Sequence, residues 1–208
     1  MSRQVTLKPT PYRFEYRTVA EALYAALTED AFYIAMENSV CGPKKMRREA
    51  MLRYYDYSLQ EGRKYGALHV SRGHAVGASI WAKPVRIRVS KIMAELKKGF
   101  LQKQMGAASL DAYTQITASM AQQTATVIPP DCWYLSIIGI APAFQGQGIG
   151  ETLIRPVLEQ TDANGCATYL ETFTPRNMRF YAKLGYREAG SFDEPGTGAR
   201  YWVMVREP

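Results

Sequence analysis

The sequence predicts a single α/β domain built on a mixed sheet flanked by helices, and three observations carry that prediction. Strand-like and helix-like segments alternate along the chain. The aromatic and β-branched run of residues 132–140 crosses a glycine-rich loop into a helix with one apolar stripe. The 208 residues are enough for one full hydrophobic core, and length favours one domain over two.

In chain order, residues 5–13 read as a first strand made irregular by Pro9 and Pro11. Helices are expected over 18–26 and 29–36, then a turn at Cys41-Gly42-Pro43 and a helix over 44–60 with Met46, Ala50, Met51, Tyr54 and Leu59 on its apolar face. Residues 65–70 and 75–82 read as paired strands around Arg72-Gly73-His74. Trp81 lies near the end of the second, where it serves either a ligand pocket or the core. Residues 86–126 carry the apolar spacing of two helices broken near Gly106, a helical insertion stopped by Pro129-Pro130. After the central strand, loop and helix, Asn164-Gly165 is a stop. A strand over 167–173, a helix over 175–186 and strands over 187–192 and 200–206 complete the order.

With 47% hydrophobic and 22% charged residues the composition is globular, and no stretch reaches the roughly 20 apolar residues of a membrane span. MSRQVTLKP at the N-terminus has no apolar targeting core, which predicts a cytoplasmic protein. Cys41, Cys132 and Cys166 are odd in number and far apart, so reduced thiols are expected, and with only His69 and His74 beside them no metal site is expected. A net charge of +7 suits an anionic ligand. The basic pairs Lys44-Lys45, Arg47-Arg48 and Lys97-Lys98, with Arg86 and Arg88, come without an aromatic RNA-binding signature, so neither a nucleic acid nor a membrane partner is expected. Monomer and homodimer both stay open.

The stretch CWYLSIIGIAPAFQGQGIG, residues 132–150, is a strand, a glycine loop and a helix start. Such a device holds a phosphate, since glycines let backbone approach a ligand and first-turn amides are free donors at the positive end of the helix dipole. A dinucleotide fingerprint beginning at Gly146 fails at Glu151, and the Gly-Lys-Ser/Thr of a nucleotide-triphosphate loop is missing. The frame that fits is Gln-x-x-Gly-x-Gly over 145–150, preceded by Ile138, Ile140 and Pro142.

In that frame the segment resembles the acetyl-CoA loop of the GNAT superfamily of N-acetyltransferases. LETFTPRNMRFYAKLGYREAG, residues 170–190, and the unusual Pro156 inside the loop helix resemble most closely its puromycin N-acetyltransferase-like branch. The resemblance implies one acetyltransferase domain over 1–208 with a mostly antiparallel sheet, an insertion at about 86–126 and a coenzyme-binding core at about 132–190. It also implies acetyl-CoA as cofactor, held by Gly139, Ile140, Gln145, Gly146, Gln147, Gly148, Ile149, Gly150 and Glu151. The family's coenzyme asparagine, seven residues before the helix tyrosine, is Thr174 here; Asn177, four before Tyr181, is the substitute candidate.

Acetyl transfer from a thioester to an amine needs a neutral nucleophile, a donor for the developing oxyanion and a proton for the departing thiolate. The resemblance assigns the Ile138 N–H as oxyanion donor and Tyr181 as acid, the alternative for Tyr181 being a core aromatic. Period two puts Ser136 and Tyr134 on the strand face of Ile138, where the resemblance implies base or water-positioning groups, so Ser136 is a catalytic candidate beside Ile138 and Tyr181. Glu171 is the nearest plausible base, directly or through water, or else an acceptor holding the Pro-Arg-Asn turn. Phe32, Tyr33, Trp81 and Tyr134 are expected to bound the acceptor, an apolar or aromatic small amine. The competing classes are a coenzyme-A-binding regulatory module without catalysis and an acetyltransferase of protein N-termini or lysines.

Overall fold

The computed structural model describes residues 12–208 except Arg72 and His74, so the strand expected over 5–13 and the turn through His74 lie outside the described residues. The helices are α1 (Arg17–Ala26), α2 (Ala31–Ser39), α3 (Lys44–Tyr65), α4 (Ile87–Gln104), α5 (Ala107–Thr124), α6 (Ile149–Ala163) and α7 (Pro175–Lys183). The strands are β1 (Ala67–Val70), β2 (Gly77–Ala82), β3 (Trp133–Ile140), β4 (Thr168–Thr172), β5 (Arg187–Glu194) and β6 (Ala199–Arg206). They form a six-stranded sheet in the order β1-β2-β3-β4-β6-β5. Only β3 and β4 are parallel, because α6 carries the chain back across the sheet between them.

Helices cover both faces. On one, α1 and α3 bury Leu23, Met51, Leu52 and Leu59 against Ala78, Ile80 and Ile137. On the other, α6 seats Ile154, Val157 and Leu158 on Trp133, Leu135 and Leu170, each side chain worth about 1.5–3 kcal/mol when removed from water. Farther along the sheet α5 lays Ile116 and Met120 over Tyr201 and Val203. No described helix is long and apolar enough to cross a membrane.

Several boundaries differ from the sequence reading. α3 runs on to Tyr65, removing that residue from β1. Met46, assigned to its apolar face, is 59% exposed because it sits in the first turn, ahead of the part that meets the core. α7 ends at Lys183, two residues before Gly185, whose φ of 91° lies in the left-handed region. The insertion forms the two helices expected, parted at Gly106.

Candidate active site

The site lies where β3 and β4 part. They pair only over Trp133–Leu135 and Thr168–Leu170, so among the described residues the rest of β3 has no strand partner on that side. The ladder with β2 decides which backbone groups face the gap. Ala141 N donates to Val76 O (2.8 Å). Because hydrogen-bonded and open positions alternate in an antiparallel pair, Gly139, opposite Ala78, turns its N–H toward β2. Ile138, opposite Ser79, and Ile140, opposite Gly77, turn theirs away into the gap. Gln145 Nε2 donates to Ile140 O (2.9 Å), which fits that orientation. Gly139 is therefore no coenzyme donor. It is glycine because α1 presses on it: a Cβ there would lie 2.9 Å from Leu23 Cδ2.

Beyond a short 3-10 turn, Pro142–Phe144, the loop turns through Gly146 and Gly148 at φ 76° and 78°, a region where an L side chain costs about 1–2 kcal/mol. Among the described residues, the N–H groups of Gly146, Gln147, Gly148, Ile149 and Gly150 have no backbone acceptor. The two ends of the predicted cradle are different. Gln145 N donates to Pro142 O (3.3 Å) and Glu151 N to Gly148 O (3.1 Å), so both amides are spent inside the loop, and the Glu151 carboxylate pairs with Arg155. Five consecutive free amides entering a helix fit a diphosphate, and this is the observation on which a coenzyme A group suits these residues. A Cβ on Gly150 would lie 3.2 Å from Phe180 Cζ, so the loop is packed against α7.

Next to the gap is a cavity of about 370 Å³. The sheet contributes Tyr134, Ile138, Tyr169 and Glu171; α2, α3 and α5 contribute Phe32, Tyr33, Tyr54, Tyr113 and Thr124; α7 contributes Asn177 and Tyr181. The rings brace one another, with Phe32 edge-on to Tyr33 at 5.2 Å and Tyr134 stacked on Tyr169 at 4.6 Å.

Two carboxylates border this space. Glu171 accepts from Tyr134 OH (2.9 Å) on one oxygen and from Thr124 Oγ1 on the other. Burial pushes its carboxyl above the usual range, and the two hydroxyl donors oppose that. Asp30 caps α2, its Oδ1 accepting from Phe32 N (3.0 Å). Burial pushes it up to about 6 against the pull of the Phe32 and Tyr33 amides. Tyr181 packs in the core beneath α6, and it also lines the cavity. Burial first, then Tyr186 and Asp30, raise its phenol, so it holds its proton at neutral pH.

Two expectations need correction. The register of β3 on β2 slips between Ile80–Ile137 and Trp81–Leu135, leaving Ser136 as an extra residue. Leu135 consequently packs in the core under α6 and Ile137 in the core under α1 and α3, and period two fails across the bulge. Tyr134 thus shares a face with Ile137, while Ile138 packs toward α6; Ser136 sits at the bulge, exposed and bordering the cavity. Trp81 is not brought to the cavity. It is fully buried in the α6 core, its Nε1 donating to Ser79 Oγ (3.2 Å), because β2 is an interior strand with helices on both faces.

Sequence reasoning missed Asp30, Tyr54, Tyr113, Tyr169 and Thr124. For Asp30 a signal existed: an aspartate at the start of an apolar helical run is an N-cap. That fixes its place on α2 and says nothing of the space beyond it.

A parted pair of parallel strands, a loop of free amides at a helix start and a cavity beside both make up the candidate site. Residues 99–186 match the model of the acetyltransferase (GNAT) family. Among its relatives are an uncharacterised N-acetyltransferase of Schizosaccharomyces pombe, 30% identical over 36% of this chain and 32% of that protein, and the N-alpha-acetyltransferase RimI of Mycobacterium tuberculosis, 36% identical over 30% of this chain and 39% of that one. The chain thus spans about a third of the length of the curated relatives it matches. A solved structure described as histone acetyltransferase HPA2 and related acetyltransferase, from Corynebacterium glutamicum, superposes with a TM-score of 0.63 at 20% identity over 97% of this chain and 94% of that one.

Proposed function

We propose that the whole chain is one acetyl-CoA-dependent N-acetyltransferase unit that acetylates the primary amine of a small molecule by direct attack in a ternary complex. The observation that carries this is the β3–β4 gap, where the Ile138 N–H faces open space between the free-amide loop and the aromatic cavity. Within the superfamily we place the chain nearest the puromycin N-acetyltransferase-like branch, on its Pro-Arg-Asn turn and Pro156. Its three free cysteines suit a reducing compartment, and we place it in the cytoplasm on that ground.

The amides of residues 146–150, which have no backbone acceptor, would hold the diphosphate, with Asn177, in the cavity lining, as a further coenzyme-binding side chain. When bound, acetyl-CoA supplies an acetyl thioester whose C–S bond breaks as the amine forms its N–C bond. The Ile138 N–H donates to the carbonyl oxygen where negative charge develops. Glu171 takes the proton that the attacking nitrogen loses, its two hydroxyl donors keeping the carboxylate aimed; Tyr181 gives its proton to the departing sulfur. The balance is amine plus thioester to amide plus thiol.

Release of free thiol from acetyl-CoA across a library of amines, with peptides bearing free N-termini and lysines as a second arm, tests the reading. Thiol release driven by small amines supports it. Release driven by peptides alone, or none with any acceptor, overturns it. Tyr181→Phe keeps the ring in the core and removes the proton: kcat is expected to fall about 10²-fold with coenzyme affinity kept. An unchanged kcat would remove Tyr181 from the acid role.

A further inference from the structure

The cavity has a charge pattern at odds with the rest of the molecule. The chain carries 26 Lys and Arg against 19 Asp and Glu, yet among the described residues the only charged side chains bordering this cavity are the carboxylates of Asp30 and Glu171. Among the described residues neither forms a salt bridge. A carboxylate withdrawn from water is destabilising unless a cation or several donors meet it.

Elsewhere the protein meets that requirement from its own groups. Fully buried Asp56 accepts from Glu15 N, Tyr16 N and Gln60 Nε2. Lys97, the buried cation, has Glu61 at 2.8 Å and the ring of Tyr54 at 4.7 Å. Among the described residues Asp30 is met only by amides of its own helix start, and it lines the cavity.

The two acids also stand on different walls. Glu171 follows directly on Leu170, the last β4 residue paired to β3, so it flanks the gap faced by the Ile138 N–H. Asp30 enters from the connection between α1 and α2, in the helical layer. Phe32, Tyr33, Tyr54 and Tyr113 lie in the wall that Asp30 belongs to, offering ring faces of the kind that attract organic cations.

Resting on the acetyl-transfer reading of this site, we propose that the acceptor is a dication, a short chain whose reacting amine meets Glu171 while a second ammonium or guanidinium is held by Asp30 among the aromatic rings of the helical wall. Asp30 is then the residue that determines specificity. With its carboxyl near 6 it is ionised at neutral pH and available to a cation.

Thiol release is measured with 1,4-diaminobutane and with butylamine, which share the reacting end and differ in the second charge. The wild-type kcat/KM is expected to be about tenfold or more higher for the diamine, the scale of one charge-assisted hydrogen bond. In Asp30→Asn that ratio is expected to drop to about one, and in Asp30→Glu to be largely kept. Asn caps a helix as well as Asp does, and Asp30→Ser, another good cap, repeats the test should the first variant misfold. A wild-type ratio near one overturns the proposal, and so does a ratio that Asp30→Asn leaves intact, as it would if Asp30 served the reacting amine or only the fold. Should neither amine release thiol, the acetyl-transfer reading fails separately. Calorimetric titration of 1,4-diaminobutane then decides this proposal: binding lost in Asp30→Asn sustains it, and no binding, or binding indifferent to Asp30, ends it.

Discussion

The loop edge proposed to hold the coenzyme and the cavity proposed to hold the acceptor lie side by side and are made of different material. The edge is backbone: five N–H groups of a glycine loop and the outward N–H groups of Ile138 and Ile140. The cavity is side chains drawn from α2, α3, α5, α7 and the sheet, contributed by residues as far apart as Phe32 and Tyr181. A site of amides is written in one short stretch of sequence and tolerates side-chain change. A site of side chains is assembled by the fold, and each member bears on which molecule enters.

The strongest test of this contrast is on the cavity side. Glu171→Gln keeps the shape and the Tyr134 contact and removes the proposed base, so kcat/KM is expected to fall by about 10²–10⁴ while coenzyme affinity stays, both measurable by steady-state kinetics and calorimetry. The pH dependence carries the same signature. Burial raises the Glu171 carboxyl, the ionised form is the base, and activity therefore climbs as pH rises through that raised value; the limb should vanish in the glutamine variant. Coenzyme affinity falling with kcat would blur the division.

On the backbone side, Gly148→Ala forces a side chain into the left-handed region at φ 78°. The roughly 1–2 kcal/mol of strain should weaken coenzyme binding about five- to thirtyfold by calorimetry while acceptor preference is unchanged. A shift in acceptor preference instead would mean that the loop reaches the cavity.

The smallest effect is expected at an ion pair on the exposed rim between α7 and the α1–α2 connection. Arg176, next to Asn177 on α7, pairs with Glu29, next to Asp30, at 2.7 Å, and both side chains are more than 70% exposed. Arg176→Ala should change the melting temperature by a few degrees at most and kcat/KM by less than about threefold. A larger loss would show the rim to be part of the site.

What was legible follows the same line. The helices of the insertion, the Gly106 break and the stop at Asn164-Gly165 come from local periodicity and local breakers, and the structure has them where the pattern puts them. The glycine loop is local as well, and its glycines and most of its free amides follow from spacing. Its two end amides do not, because whether Gln145 N and Glu151 N are free depends on how tightly the turn closes.

By itself, then, the sequence determined the order of elements, the glycine loop and the identity of the strand beside it, since each rests on contacts between residues near in the chain. Only the tertiary structure decided which residues share the cavity. The extra residue at Ser136 reverses the faces of β3 midway, the helices on both sides of β2 withdraw Trp81 into the core, and the packing of α1 and α2 over the sheet brings Asp30 to the space bordered by Glu171, 141 positions away in the chain by their numbers. A bulge, a layer and a long-range approach leave no periodic trace, because the forces that set them act between segments and not along one.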